Sequence, residues 1–428
     1  MEAPRFGPST PYVRRLIDDD LDELFPELAA VLLDGPKGVG KTATAVQRAV
    51  SVRRLDDPVE RAVVAADPRL LADDPRPLLV DEWHRVPGVL DVVRRLVDDQ
   101  PGGGQFLLTG SLPTVQTHSG AGRITTMRLR PLTFGERTGD VPTVSLRRLM
   151  GGDRVVGGRT TRTLRDYAVE IVAGGLPGLR GLGDRASALA LDSYVDRIVD
   201  HDMVEAGMTV RRPGVVRAWL AAYAAAVGTT ASAEKIRYAA GQDLGEPPAR
   251  STTTGYVDLL ARLRILDPVE AWMPSRNHMN ALLGVPKHHL ADPALAVRLT
   301  RRTSSQLLRG DDPVTPIPRD GAFLGNLFES LVTLSVRTYA QLFDSRVGHV
   351  RTKGGRHEVD LIVDTGAGVM AIEVKLAAAV SDRDVVHLRW LRKVLGDELI
   401  DAVVVSTGPE AYRRQDGIAV VPFALLGP

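Results

Sequence analysis

Eight consecutive residues, Gly35-Pro36-Lys37-Gly38-Val39-Gly40-Lys41-Thr42, have the types and spacing of a phosphate-binding loop, with an apolar run before them and a helical pattern after them. Glycines let the backbone wrap close to an anion so that successive amides point inward, and the following helix offers its positive end to the same charge. Lys41 would reach the β and γ phosphates and Thr42 would ligate Mg2+. A second apolar run, 78–80, ends in Asp81 and Glu82. An acid at the carboxyl end of a buried strand can hold the magnesium shell, and its neighbour can polarise the attacking water. ATP and Mg2+ are therefore the expected cofactors, held by residues 35–42 with Asp81, and Lys41 and Glu82 are the expected catalytic groups. A third run, 106–108, exits through Thr109-Gly110-Ser111. Two readings of Thr109 and Ser111 stand, sensing of the nucleotide and plain turn chemistry at a strand exit. Arg123 has two readings as well: an arginine finger supplied by a neighbouring subunit of a homo-oligomer, or an ordinary surface arginine.

A second set of reactive residues lies near the far end. Residues 358–363 and 369–375 read as a hairpin joined by a turn at 364–368. Strand alternation puts Glu373 and Lys375 on one face, with Ile372 and Val374 on the other, and Asp360 within a rung or two of Glu373. Paired acids suit a hard cation such as Mg2+, and a nearby lysine suits developing charge. The competing reading is a cross-face ion pair with no chemistry.

The elements that must position these groups divide the chain in three. Residues 1–145 alternate strand and helix patterns at 30–33, 41–54, 78–80, 89–97, 106–108 and 126–129, which predicts an α/β domain with a parallel sheet. Residues 146–315 read as mostly helical. Within them 232–240 and 251–263 predict two helices, and 264–266 with 269–272 a small hairpin, so a winged helix is expected at about 228–275. Arg250, Thr252, Thr253 and Thr254 would then face DNA, unless the fold serves only as a packing module. A proline-rich stretch at 311–318 leads into residues 316–428, a helix at about 322–339 followed by strands at 347–351, 358–363, 369–375, 402–406 and 418–423.

Composition bounds the rest. In 428 residues, 54 Lys plus Arg face 53 Asp plus Glu for a net charge of +1, so any nucleic-acid contact must come from local patches. There is no cysteine, which excludes disulfides, thiolate metal sites and cysteine nucleophiles. The start is polar, and the longest apolar stretch, 219–227, is far short of the ~20 residues a membrane span needs, so no membrane partner and a cytoplasmic location are expected. Only seven of the basic residues are lysine: Lys37, Lys41, Lys235, Lys287, Lys353, Lys375 and Lys393. In such a chain a lysine weakly marks a place that wants a compact ammonium.

Together the loop, Leu79-Val80-Asp81-Glu82 with Arg85-Val86-Pro87, Leu108-Thr109-Gly110-Ser111, the stretch from Ala121-Gly122-Arg123 to Phe134, Gly174-Gly175-Leu176-Pro177, residues 290–295 and 321–329 resemble the bacterial and archaeal AAA-type ATPases that carry a helical middle region and a C-terminal nuclease-like domain. Trp83-His84 departs from the aliphatic residue and glutamine usual there. The Asp360, Glu373 and Lys375 arrangement resembles the PD-(D/E)xK nucleases, in which two carboxylates hold Mg2+ and the lysine positions or activates water. Glu329 stands where that superfamily often has a helical glutamate and would complete the metal site. The resemblance implies a Mg2+-dependent ATPase acting on DNA, with a restriction-endonuclease-like α/β domain that grips or cuts the strand. The alternative is a nucleotide-dependent switch that binds a protein partner and has a catalytically silent last domain.

Overall fold

A computed structural model of the chain describes residues 12–110, 122–242, 244–273, 284–310 and 322–428. Ser111 and the proline-rich stretch at 311–318 lie outside these residues. The described chain forms two compact units, Met1–Arg130 and Pro131–Pro428. No helix among the described residues is long and apolar enough to cross a membrane.

The first unit is an all-parallel sheet in the order β2-β3-β4-β1-β5, from β1 (Ala30–Asp34), β2 (Ser51–Arg54), β3 (Leu78–Asp81), β4 (Phe106–Thr109) and β5 (Ile124–Arg128). Its helices are α1 (Ile17–Leu24), α2 (Lys41–Val46), α3 (Pro58–Ala66) and α4 (Val89–Asp99). Successive strand residues go to opposite faces, so near-continuous apolar runs fill two cores at once. Val31, Leu33, Leu79 and Leu107 pack with Ile17 and Leu21 of α1, and Leu78, Val80, Phe106 and Leu108 pack with Val89 and Val93 of α4. The helix expected over 41–54 is shorter than its pattern. It stops at Val46, and Ser51–Arg54 pairs in register with Leu78–Asp81 as the sheet edge. An arginine-rich edge strand suits that place, because Arg53 turns outward to Asp74 at 2.6 Å.

The second unit begins with α5 (Phe134–Thr138), β6 (Val144–Ser145) and α6 (Leu146–Met150). It continues through α7 (Leu164–Ala173), α8 (Asp184–Arg197), α9 (Met203–Glu205), α10 (Pro213–Ala225), α11 (Ala233–Gly241), α12 (Arg250–Arg262), α13 (Pro293–Leu299) and α14 (Ser304–Arg309). It closes with α15 (Phe323–Gln341), β7 (Arg346–Arg351), β8 (Glu358–Asp364), β9 (Val369–Val374), α16 (Val386–Leu395), β10 (Leu399–Ser406), β11 (Tyr412–Arg413), β12 (Ala419–Pro422) and β13 (Leu426–Gly427). The sheet order is β11-β12-β10-β9-β8-β7, with β7, β8 and β9 antiparallel neighbours and β10 parallel to β9 and β12. Leu388, Leu391 and Leu395 of α16 pack on Val359, Ile362, Ala371 and Val404. Phe134, Tyr167, Phe328 and Phe423 meet with ring centroids 5.0–6.1 Å apart, and β13 pairs with β6, so the start and end of this unit share one core.

Both helices of the expected winged helix form, as α11 and α12, but its wing does not. Residues 264–266 and 269–272 do not pair with each other. Leu266 bridges to Leu290, Val269 to Lys287 and Ala271 to His349, so the extended chain meets the 285–291 segment and β7 instead. Thr253, expected to face DNA, is buried, and Arg250 is drawn to Glu234 at 2.7 Å.

His349 of β7 is buried, and its Nε2 donates to the carbonyl of Val285 at 2.9 Å while Nδ1 meets no partner among the described residues. Burial, with the Lys287 ammonium second, pushes the ring down to about 4. The fold keeps the neutral ring, so the unfolded chain takes up a proton first as pH falls. This contribution is complete above about 6.5 and is lost between there and 4, at most about 3 kcal/mol. Urea melts at pH 7, 5.5 and 4 should show that loss, and His349→Gln should flatten it.

Candidate functional site

The carboxyl ends of β1, β3 and β4 lie side by side, since Leu33 and Asp81 both neighbour Thr109 in the sheet. The phosphate loop leaves β1 there. Gly35 passes so close to β5 that an added Cβ would stand 2.1 Å from the carbonyl oxygen of Leu129, and Gly38 and Gly40 hold φ of 74° and 102°, a region that suits glycine. Gly40 caps α2, which starts at Lys41. Lys41 is buried, with Nζ donating to the carbonyls of Gly35 at 2.8 Å and Pro36 at 2.9 Å. Burial pushes this ammonium down to about 8, against Glu82 and Asp34, and a bound phosphate would favour its charged form further.

Asp81 is the hub of the site. Its Oδ1 accepts from the Thr42 hydroxyl at 2.8 Å and also from the Thr109 hydroxyl. Burial raises this carboxyl, and the two hydroxyls pull it back. A carboxylate and a hydroxyl held together at the start of a helix form an oxygen donor set that fits Mg2+ with bound phosphates. Glu82 follows at φ 54°, a left-handed turn that separates it from the strand, and His84 Nδ1 stands 3.4 Å from its carboxylate. An added Cβ on Gly110 would meet His84 Nδ1 at 2.9 Å, so the departure at Trp83-His84 packs directly on the exit of β4.

Arg123 is elsewhere. It precedes β5, whose Ile124 neighbours Ala30 at the amino end of β1, and it pairs with Asp98 at 2.8 Å. At ~3.3 Å per residue the five residues of β5 set it roughly 16 Å along the sheet from the loop. At the near end of that strand Arg128 lies 3.3 Å from Asp34, beside the loop, a cation to which no sequence motif gave a role.

The residues at the far end also come together. Val374 N donates to Asp360 at 2.9 Å, and Lys375 meets Glu373 at 2.7 Å. Glu329 of α15 joins them through Lys287, whose Nζ lies 2.9 Å from Glu329, 3.0 Å from Glu358 and 3.0 Å from Asp360. Arg351 reaches Glu358 at 2.7 Å. These groups line a cavity of about 650 Å3. Burial opposes charge on Lys287, but Asp360, Glu329 and Glu358 outweigh it and hold the ammonium well above its usual range. One ammonium cannot satisfy all its acids: burial pushes Glu329 up to about 8 and raises Glu373 too, with Asp360 adding to it, while Lys287 and Lys375 keep Asp360 low against its burial. Lys287 and Glu358 were missed by sequence reasoning, and the scarcity of lysine was the available signal for the first.

A parallel sheet, a glycine-lined phosphate loop after β1 and an acid on β3 hydrogen-bonded to the loop threonine define a P-loop domain of the AAA ATPase type. Residues 28–138 match the family described as an AAA domain, and residues 164–306 and 324–426 match two domains of unknown function, DUF8612 and DUF4143. Uncharacterised proteins of Mycobacterium tuberculosis and Mycobacterium bovis are each 26% identical over 405 residues, 92% of this chain and 79% of the relative. Among solved structures, a Walker-type ATPase of Pyrococcus abyssi is similar at TM-score 0.40 and 16% identity, over 68% of this chain and 99% of that one.

Proposed function

We propose that this protein is a Mg2+-dependent ATPase that acts on DNA, coupling turnover at the phosphate loop to a nuclease-like C-terminal domain that grips the strand. The observation that carries the reading is Asp81 hydrogen-bonded to Thr42 at 2.8 Å beside a buried Lys41. Magnesium would supply charge neutralisation for the phosphates there. Lys41 binds and orients them, Thr42 and Asp81 hold the cation's place, and Glu82 accepts the proton of the attacking water. Glu82→Gln should retain ATP binding yet lose about 10²–10⁴-fold in turnover, a split that equilibrium binding and phosphate release would measure on one preparation.

The succession α15, β7, β8, β9, α16, β10 supports the nuclease-like reading, because it sets Asp360 beside the Glu373-x-Lys375 strand with Glu329 on the preceding helix. Arg123 is too far along its own sheet to reach its own loop, so a finger role would serve a neighbouring copy and make turnover depend on a homo-oligomer. The test is ATP hydrolysis without nucleic acid, with single-stranded DNA and with duplex DNA. A several-fold rise with either DNA is expected, falling steeply with salt. Turnover indifferent to every nucleic acid would remove the DNA role. The second reading, a switch that controls a protein partner, is favoured by the missing wing and by Thr253 facing inward.

A further inference from the structure

The acids of the C-terminal cavity converge on a cation the chain itself supplies. Lys287 Nζ has three carboxylate oxygens at 2.9, 3.0 and 3.0 Å, from Glu329, Asp360 and Glu358, and an ammonium has three hydrogens to give. The lysine is 1% exposed. Its backbone is fastened too: Lys287 and Val269 exchange both N–H to carbonyl bonds at 2.9 Å. On one side His288 N donates to Thr229 at 2.9 Å, and His289 shares a 2.7 Å hydrogen bond with Ser330 of α15. Two further oxygens that a metal would draw on are also engaged, Asp360 Oδ2 by the Val374 amide and Glu373 Oε1 by Lys375, while Glu373 Oε2 is buried with no partner among the described residues. Mg2+ needs near-octahedral oxygens at about 2.0–2.1 Å, and an ammonium centred among the same oxygens repels it.

We propose that Lys287 is the resident cation of this site: its ammonium stands where a nuclease of this architecture would hold a divalent ion, so the domain takes up no divalent metal and does not cut. This rests on the nuclease-like reading of the C-terminal domain. What the cavity keeps is binding, since Lys235, Arg351 and Lys375 line it and can meet a phosphate without a metal.

The test counts Mn2+ bound to the full-length, nucleotide-free chain by electron paramagnetic resonance, with and without duplex DNA. Wild type and Asp360→Asn should bind the same number of ions in both conditions. Lys287→Met should gain one Mn2+ per chain, and adding Asp360→Asn should remove it. A wild-type Mn2+ that Asp360→Asn abolishes overturns the proposal, as does a cooperatively melting Lys287→Met that gains none. If Lys287→Met does not fold, the wild-type and Asp360→Asn comparison decides alone. DNA-stimulated ATP turnover is measured separately, so its failure removes the DNA role without touching the metal count, and the reverse.

Discussion

Lys41→Ala should lower ATP turnover by about 10²–10³-fold, the size expected when one preorganised cation is removed from a developing phosphate charge. The side chain is buried and donates to two loop carbonyls, Gly35 at 2.8 Å and Pro36 at 2.9 Å. Those carbonyls face the loop's own anion cradle and can take water once the ammonium is gone, so the melting temperature should move by only a few degrees. Phosphate release under saturating ATP and a thermal melt on the same sample separate the two effects. Turnover within threefold of wild type would mean that the observed hydrolysis comes from elsewhere. Lys41→Arg should not rescue, because a planar fork cannot replace a compact ammonium in so close a loop.

Lys287→Met should cost about 3–5 kcal/mol of folding stability, the penalty for stripping the partner from buried charges. In melting temperature that is roughly 10 °C for a unit of this size. The cause is the buried Asp360 carboxylate, left charged without the ammonium that keeps it low, and removing that acid tests it. Lys287→Met combined with Asp360→Asn should therefore be more stable than Lys287→Met alone. If the double variant is no better, packing of the lysine stem and not charge explains the loss.

The strands were legible because most are short apolar runs whose ends carry polar residues, and the phosphate loop was legible because its glycines serve backbone geometry rather than packing. The 41–54 helix was over-read for a physical reason. Ser51–Arg54 has no apolar alternation, and only pairing with Leu78–Asp81 makes it a strand. The wing failed similarly, since residues 264–272 carry a strand pattern that does not say which segment it will meet. Asp360, Glu373 and Lys375 were found from alternation on a hairpin, a local signal. Lys287 acts on Glu329 and Asp360 across 42 and 73 residues through single bridges, and nothing local records such a contact. Arg128 carries no local signal of its own, because one arginine in an arginine-rich chain gains a place beside the loop only when its strand pairs with β1.

Lys287 lies within residues 164–306, and the acids it neutralises lie within residues 324–426. The two stretches match separate families, yet neither is electrically whole alone. A fragment starting after residue 310 would keep Arg351 beside Glu358 and Lys375 beside Glu373 but would leave Asp360 and Glu329 without the ammonium between them, and the donor fragment would expose a lysine shaped for acids it no longer has. Shuffling either stretch into another chain would carry that imbalance with it, which would favour inheriting the pair as one piece.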